Sequence, residues 1–182
     1  MNFIKYIIFS VLFSSSISIQ SFASTTESQA LDQLAQGIIV NQIWRLQYSE
    51  SVNEIYQHQA ENLIKNGLGT IELTDQEKQL IPQIVEIYQA MPEKILRDPQ
   101  FIAQTKQILL ESLNPQEIEI LYDSATTPSQ ELYTKLANAD TKIFLESNAA
   151  ISKAVNDPHF IQPYRNKIGQ IIQHLPQLDE NK

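Results

Sequence analysis

Four times in this chain a short polar residue stands directly before a proline: Asp98-Pro99, Asn114-Pro115, Thr127-Pro128 and Asp157-Pro158. Proline lacks the N–H that the first residue of a helix cannot use, and its φ is already helical. The preceding Asp, Asn or Thr offers a side-chain oxygen to an amide that the first turn leaves unpaired. Each pair is followed by apolar residues three and four apart, the spacing of one helical face. Ile118, Leu121 and Tyr122 follow Asn114, and Leu132, Tyr133 and Leu136 follow Thr127. Glu117 sits three residues after Asn114, where its carboxylate can reach back to form a capping box. Two amphipathic elements joined by a tight corner in Leu113–Leu136 need other helices to cover them, so this stretch reads as the hinge of a bundle.

The rest of the chain repeats the pattern. Residues 27–65 carry Leu31, Leu34, Ile38, Val52, Ile55, Tyr56 and Leu63 at helical spacing, with Gly37 the only breaker inside. One long helix, or two in near continuity, is expected there, stopped by Asn66-Gly67. Thr74 with Glu77 forms a second capping box, before a helix bearing Leu80, Ile81, Ile84, Val85, Ile87 and Tyr88. Pro82 should kink that helix or begin a new segment, and Met91-Pro92 should break it. Asp98-Pro99 then starts a helix through Leu113 with Phe101, Ile102, Ile108 and Leu109 inward. A long helix from Pro128 carries Leu136, Ile143, Phe144, Ile151 and Val155. The last runs from Asp157-Pro158 to Leu175-Pro176, followed by a fraying acidic tail over 175–182. Nothing alternates with period two and glycine totals only 4. The expected fold is all-α, an irregular bundle of about six helices.

Asp98-Pro99-Gln100-Phe101-Ile102 recurs as Asp157-Pro158-His159-Phe160-Ile161, with Lys94 and Lys153 at the same offset. A duplicated helical hairpin with one copy enlarged would produce this; so would the general aptitude of Asp-Pro for starting helices.

Lys5, the apolar run Tyr6–Phe13, a serine-rich stretch and Ser21-Phe22-Ala23 have the order of a secretory signal peptide. The run is short for a bilayer and is interrupted by Ser10 and Ser14, so an uncleaved anchor is the lesser alternative. Cleavage after Ala23 removes 23 of 182 residues and leaves 159, a single helical domain over 24–182 located in the periplasm. With no cysteine in the chain, disulfides, thiolate metal sites and a lipid-modified cysteine at the junction are excluded. The net charge of −8 becomes −9 once Lys5 is removed, 12 basic residues against 21 acidic. That balance opposes nucleic acid and anionic lipid and favours a basic protein partner.

Leu121, Tyr122, Ser124 and Pro128, at the end of a capped helix and before a second one, resemble an uncharacterised family of exported bacterial helical proteins. That family carries a Phe-Tyr, Ser-Pro and Gly signature at this place. Here Leu121 stands for the usual aromatic, two additional residues precede Pro128, and Gln130 stands where glycine is expected. The resemblance implies a periplasmic helical domain and brings no activity, ligand or catalytic residue.

Several chemistries are weighed on the residues themselves. Glu54, His58 and Glu61 share a helical face, a partial ligand set without the second copy that carboxylate-bridged bundles need; a solvated face with an i,i+4 Glu–His contact is the simpler account. His159 and His174 are the other histidines. Glu111-Ser112 resembles the segment that presents the catalytic acid of peptidoglycan-cleaving lytic transglycosylases, but the glycine-rich groove of such enzymes has no counterpart. Lys65-Asn66-Gly67-Leu68-Gly69-Thr70 looks like a phosphate loop, yet it follows a helix and reads as a stop and linker. No Gly-x-Ser-x-Gly occurs. Gly37 and Gly169 read as points of close helix contact. Trp44 and Tyr48 are i,i+4 neighbours, with Arg45 beside them and Tyr56 nearby, a set that suits an interface. The same four residues turned inward would be ordinary packing.

The reading that results is a helical interaction protein of the adaptor, chaperone-like or inhibitory kind, without catalysis, metal or cofactor. A peptidoglycan-cleaving enzyme using Glu111 and a carrier of a small apolar ligand are the alternatives.

Overall fold

The computed structural model describes residues 23–123 and 125–173. The expected signal peptide as far as Phe22, Ser124, His174, the expected helix end at Leu175-Pro176 and the tail lie outside the described residues. Among the described residues there are helices and no strand: α1 Ala23–Tyr48, α2 Glu50–Leu68, the single turn α3 Asp75–Lys78, α4 Ile81–Leu96, α5 Pro99–Ser112, α6 Pro115–Tyr122, α7 Gln130–Val155 and α8 Pro158–Gln173. The fold is an all-α, irregular multi-helix bundle. The described residues form one short turn and seven longer helices, where the sequence suggested about six.

Four of the helix starts form as their side chains dictate. Asp98 accepts from Gln100 N at 2.8 Å and Asp157 from His159 N at 2.9 Å. Asn114 Oδ1 accepts from Glu117 N at 2.9 Å while Glu117 Oε2 accepts from Asn114 N at 2.9 Å, a complete capping box. Thr74 and Glu77 make the same reciprocal pair. The two Asp-Pro corners are therefore alike in backbone as well as in sequence, since Ile102 N bonds Asp98 O and Ile161 N bonds Asp157 O, both at 3.0 Å.

Other boundaries move, each for a local reason. The helix expected at Pro128 begins at Gln130, because Ser129 rather than Thr127 accepts from the third amide, Leu132 N, at 3.2 Å. Asp123 holds the preceding corner by accepting from Ala125 N and the Thr126 hydroxyl. The segment 27–65 is not interrupted at Gly37 but divides at Ser49, whose backbone is extended (φ −63°, ψ 140°). Gly67 stays helical, and the stop falls at Gly69, which takes the left-handed conformation (φ 67°). A Cβ on Gly67 would meet Ile172 Cγ2 at 2.9 Å, so the helix needs glycine there for close approach by α8. Gly169 has nothing within 4 Å of such a Cβ and does not mark a close contact. Pro82 begins α4, one of the two outcomes expected of it, whereas Pro92 does not end it: the helix continues to Leu96 with Met91, Pro92, Ile95 and Leu96 buried. Burial of this turn outweighs the one backbone bond that proline removes.

The chain forms two compact units: the described part of Met1–Gln42 with Arg97–Ser147, and Ile43–Leu96 with the described part of Asn148–Lys182. In the first, Ile38, Ile39, Phe101, Leu109, Ile118, Leu136 and Ile143 are buried. Fully buried Gln42 donates to Asp140 Oδ1 at 2.7 Å, Lys106 pairs with Asp32, and Lys135 Nζ lies 2.6 Å from Glu117 Oε1. In the second, Ala60, Ile64, Leu73, Ile84, Val85 and Ile168 form the core, with Tyr56, Tyr88, Ile171 and Ile172 packed against it. Lys94 Nζ sits 5.4 Å from the Phe160 ring centre and 5.9 Å from that of Tyr164, a cation–π contact from α4 to α8.

Candidate interaction surface

The end of α1 leaves carbonyl groups that no residue of that helix can satisfy. Two of them are taken by side chains from elsewhere in the second unit. Tyr56 of α2 donates its hydroxyl to Leu46 O at 3.1 Å, and Gln89 of α4 donates to Gln47 O at 3.0 Å. Gln47 returns a bond from Nε2 to Gln89 O at 2.7 Å. The corner between α1 and α2 is thereby tied down on its inner side, where Leu46 and Gln47 are buried.

Trp44 and Tyr48 lie about 200° round the helix from Leu46 and point the other way. They are 52% and 58% exposed, on one face by their i,i+4 spacing. Arg45 between them is half-buried. Tyr56 is not part of this face. Its ring packs at 5.7 Å from Tyr88, and burial raises the pKa of its hydroxyl above 10.0. Of the four residues the sequence grouped, the structure sets Trp44 and Tyr48 side by side in solvent and uses Tyr56 to hold the corner beneath them.

In the first six residues of α2 the exposed ones are Glu50, Ser51, Glu54 and Ile55, and Ile55 is 52% exposed. Ile55 was expected on the inward stripe with Val52 and Tyr56; it lies about 100° round the helix from Tyr56 and about 140° from buried Ala60, and is exposed. Among the described residues no ion pair reaches Glu50 or Glu54.

The remaining candidates are placed as follows. Glu61 of the Glu54–His58–Glu61 face is paired with Lys65 at 2.7 Å, and that hydrogen bond, ahead of charge attraction to Lys65 and His58, lowers its pKa. Among the described residues no group of three or more His, Cys, Asp or Glu side chains converges as a metal site would require. Glu111 is exposed in the last turn of α5 and accepts from Gln107 Nε2 at 2.9 Å. A general acid working near neutral pH needs apolar enclosure or a neighbouring carboxylate, and an exposed helix end supplies no enclosure. The segment Lys65–Thr70 is the end of α2 and its glycine stop; Lys65 O accepts from Gly69 N and Thr70 N. No described helix is long and apolar enough to cross a membrane.

No protein-family profile, no curated protein and no solved structure matches the chain. The surface is therefore read from its own chemistry. Aromatic faces attract cations and apolar side chains, and exposed carboxylates attract cations.

Proposed function

We propose that this chain is an exported periplasmic helical protein that binds another protein, as an adaptor, chaperone-like factor or inhibitor, and performs no catalysis. The observation that carries the reading is the exposure of Trp44 and Tyr48. Two large aromatic side chains are kept in solvent on one face of a helix end that is otherwise well anchored. Aromatic residues at such positions dominate binding energy at interfaces, because they bury much area at small entropic cost. The net charge of −8 favours a basic partner. Export rests on Lys5, the apolar run after it and Ser21-Phe22-Ala23.

The test is retention of partners from a periplasmic extract by the immobilised protein, compared with Trp44→Ala and Tyr48→Ala. Loss of the same bound protein in both variants supports the reading. Unchanged binding of every partner by both refutes it. A reporter fused to the full chain tests export, and activity of that reporter in the cytosol alone would remove the periplasmic assignment.

A further inference from the structure

We infer that the corner between α1 and α2 recognises a cationic amphipathic peptide segment of its partner, with apolar side chains set on Trp44, Tyr48 and Ile55 and Lys or Arg side chains on Glu50 and Glu54. This rests on the interaction reading above and gives that partner a chemistry. Over residues 44–55 the exposed side chains are Trp44, Tyr48, Glu50, Ser51, Glu54 and Ile55, that is, three large apolar groups, two carboxylates and one hydroxyl. Trp44 and Tyr48 end α1, and Glu50, Ser51, Glu54 and Ile55 open α2, on either side of Ser49. Glu50 and Glu54 are i,i+4 like charges, an arrangement mildly unfavourable to an isolated helix, and no ion pair among the described residues offsets it. A bound cation between them would.

Size and charge select this occupant over others. At about half exposure the three apolar side chains present about 300 Å², well below the ~800 Å² per partner of a standard interface between folded proteins. A short segment fits that area. A second copy of the chain does not, because a two-fold contact sets this same patch against itself, carboxylates included. An anionic lipid surface is repelled by the same carboxylates.

Trp44 is the only tryptophan, so its emission reports on this surface alone. The experiment titrates the exported protein with a peptide of repeating Leu and Lys, and separately with its Leu and Glu counterpart, both free of tryptophan. The expected result is a saturable blue shift of Trp44 emission with the Leu/Lys peptide, weakened by salt. Glu50→Gln with Glu54→Gln should weaken binding about threefold to tenfold, the loss expected from two exposed ion pairs. Tyr48→Ala should weaken it as well, and Glu86→Gln, an exposed carboxylate of α4, should not. Equal binding of the Leu/Glu peptide, no shift with the Leu/Lys peptide, or unchanged affinity in the Glu50/Glu54 double variant overturns the inference. If Trp44→Ala and Tyr48→Ala still release a partner from the extract in that case, the interaction reading stands and only the cationic recognition falls. If they release none, the interaction reading falls too.

Discussion

Replacing Tyr56 by Phe removes one oxygen from the inner side of the α1–α2 corner and leaves the ring in place. The hydroxyl donates to Leu46 O at 3.1 Å, and Leu46 is buried, so the carbonyl loses a partner at a helix end where no backbone amide replaces it. The ring contact with Tyr88 at 5.7 Å is kept, because it depends on the aromatic faces and not on the oxygen. A net hydrogen bond is worth about 1 kcal/mol. Leaving an acceptor unpaired costs about 1–3 kcal/mol when burial is complete; Tyr56 is half-buried and water can reach part of this site, so the loss should be about 1 kcal/mol. For a chain of this length that lowers Tm by about 2–4 °C. The effect should also depend on pH. Burial raises the Tyr56 pKa in the folded state above its ordinary 10.0. The unfolded chain therefore loses the proton first, and stability is complete below about pH 10 and falls as pH rises through the folded value. Tyr88 and Tyr164 are raised for the same reason, so the substitution should reduce the alkaline loss without abolishing it. Thermal unfolding followed by circular dichroism between neutral pH and pH 11 measures both effects. A Tyr56→Phe protein as stable as the parent at neutral pH would show that the hydroxyl does not hold this corner, and the account of why Trp44 and Tyr48 are firmly presented would fail with it.

Four further outcomes are expected. Trp44→Ala with Tyr48→Ala should change stability by less than about 0.5 kcal/mol, as exposed positions do; a large drop in Tm would mean that these side chains pack. Gly69→Ala forces a left-handed residue and should cost about 1 kcal/mol, whereas Gly169→Ala, with open space at its Cβ, should gain about 0.5–1 kcal/mol of helix propensity; chemical denaturation of the pair tests the contrast, and equal effects would refute it. Asn114→Ala should cost about 1 kcal/mol through the lost cap of α6, readable in the same assay. Hydrogen bonds from Lys135 and then Asn114 N hold Glu117 below its ordinary 4.5, so the stability it contributes is present above that pH and disappears as acid protonates it; Glu117→Gln should flatten the acid limb of a stability–pH curve, and an unchanged limb would assign the limb to other groups.

The elements were readable where the decisive interaction is short in sequence. Asp98, Asn114, Thr74 and Asp157 each find their amide two or three residues away, so residue type alone specifies the start of a helix. Where two local devices competed, the boundary fell about half a turn further on. Ser129 took the capping role assigned to Thr127, and Gly69 took the stop assigned to Gly67. Pro92 was misread outright, since the burial that holds its turn in a helix comes from residues distant in the chain. The four aromatic and basic candidates could be gathered on spacing, but their exposure could not. That depends on which face of each helix the rest of the fold covers, which leaves Ile55 outside and brings Tyr56 to Leu46 O.

Periodicity, capping and charge act within a few residues, so an all-helical, cysteine-free, acidic chain and most of its helix starts follow from local residue order. Which aromatic residues meet solvent is set by packing between helices. The orphan carbonyls at the end of α1 draw Tyr56 and Gln89 inward from α2 and α4, and Trp44 and Tyr48 are left more than half exposed on the opposite face.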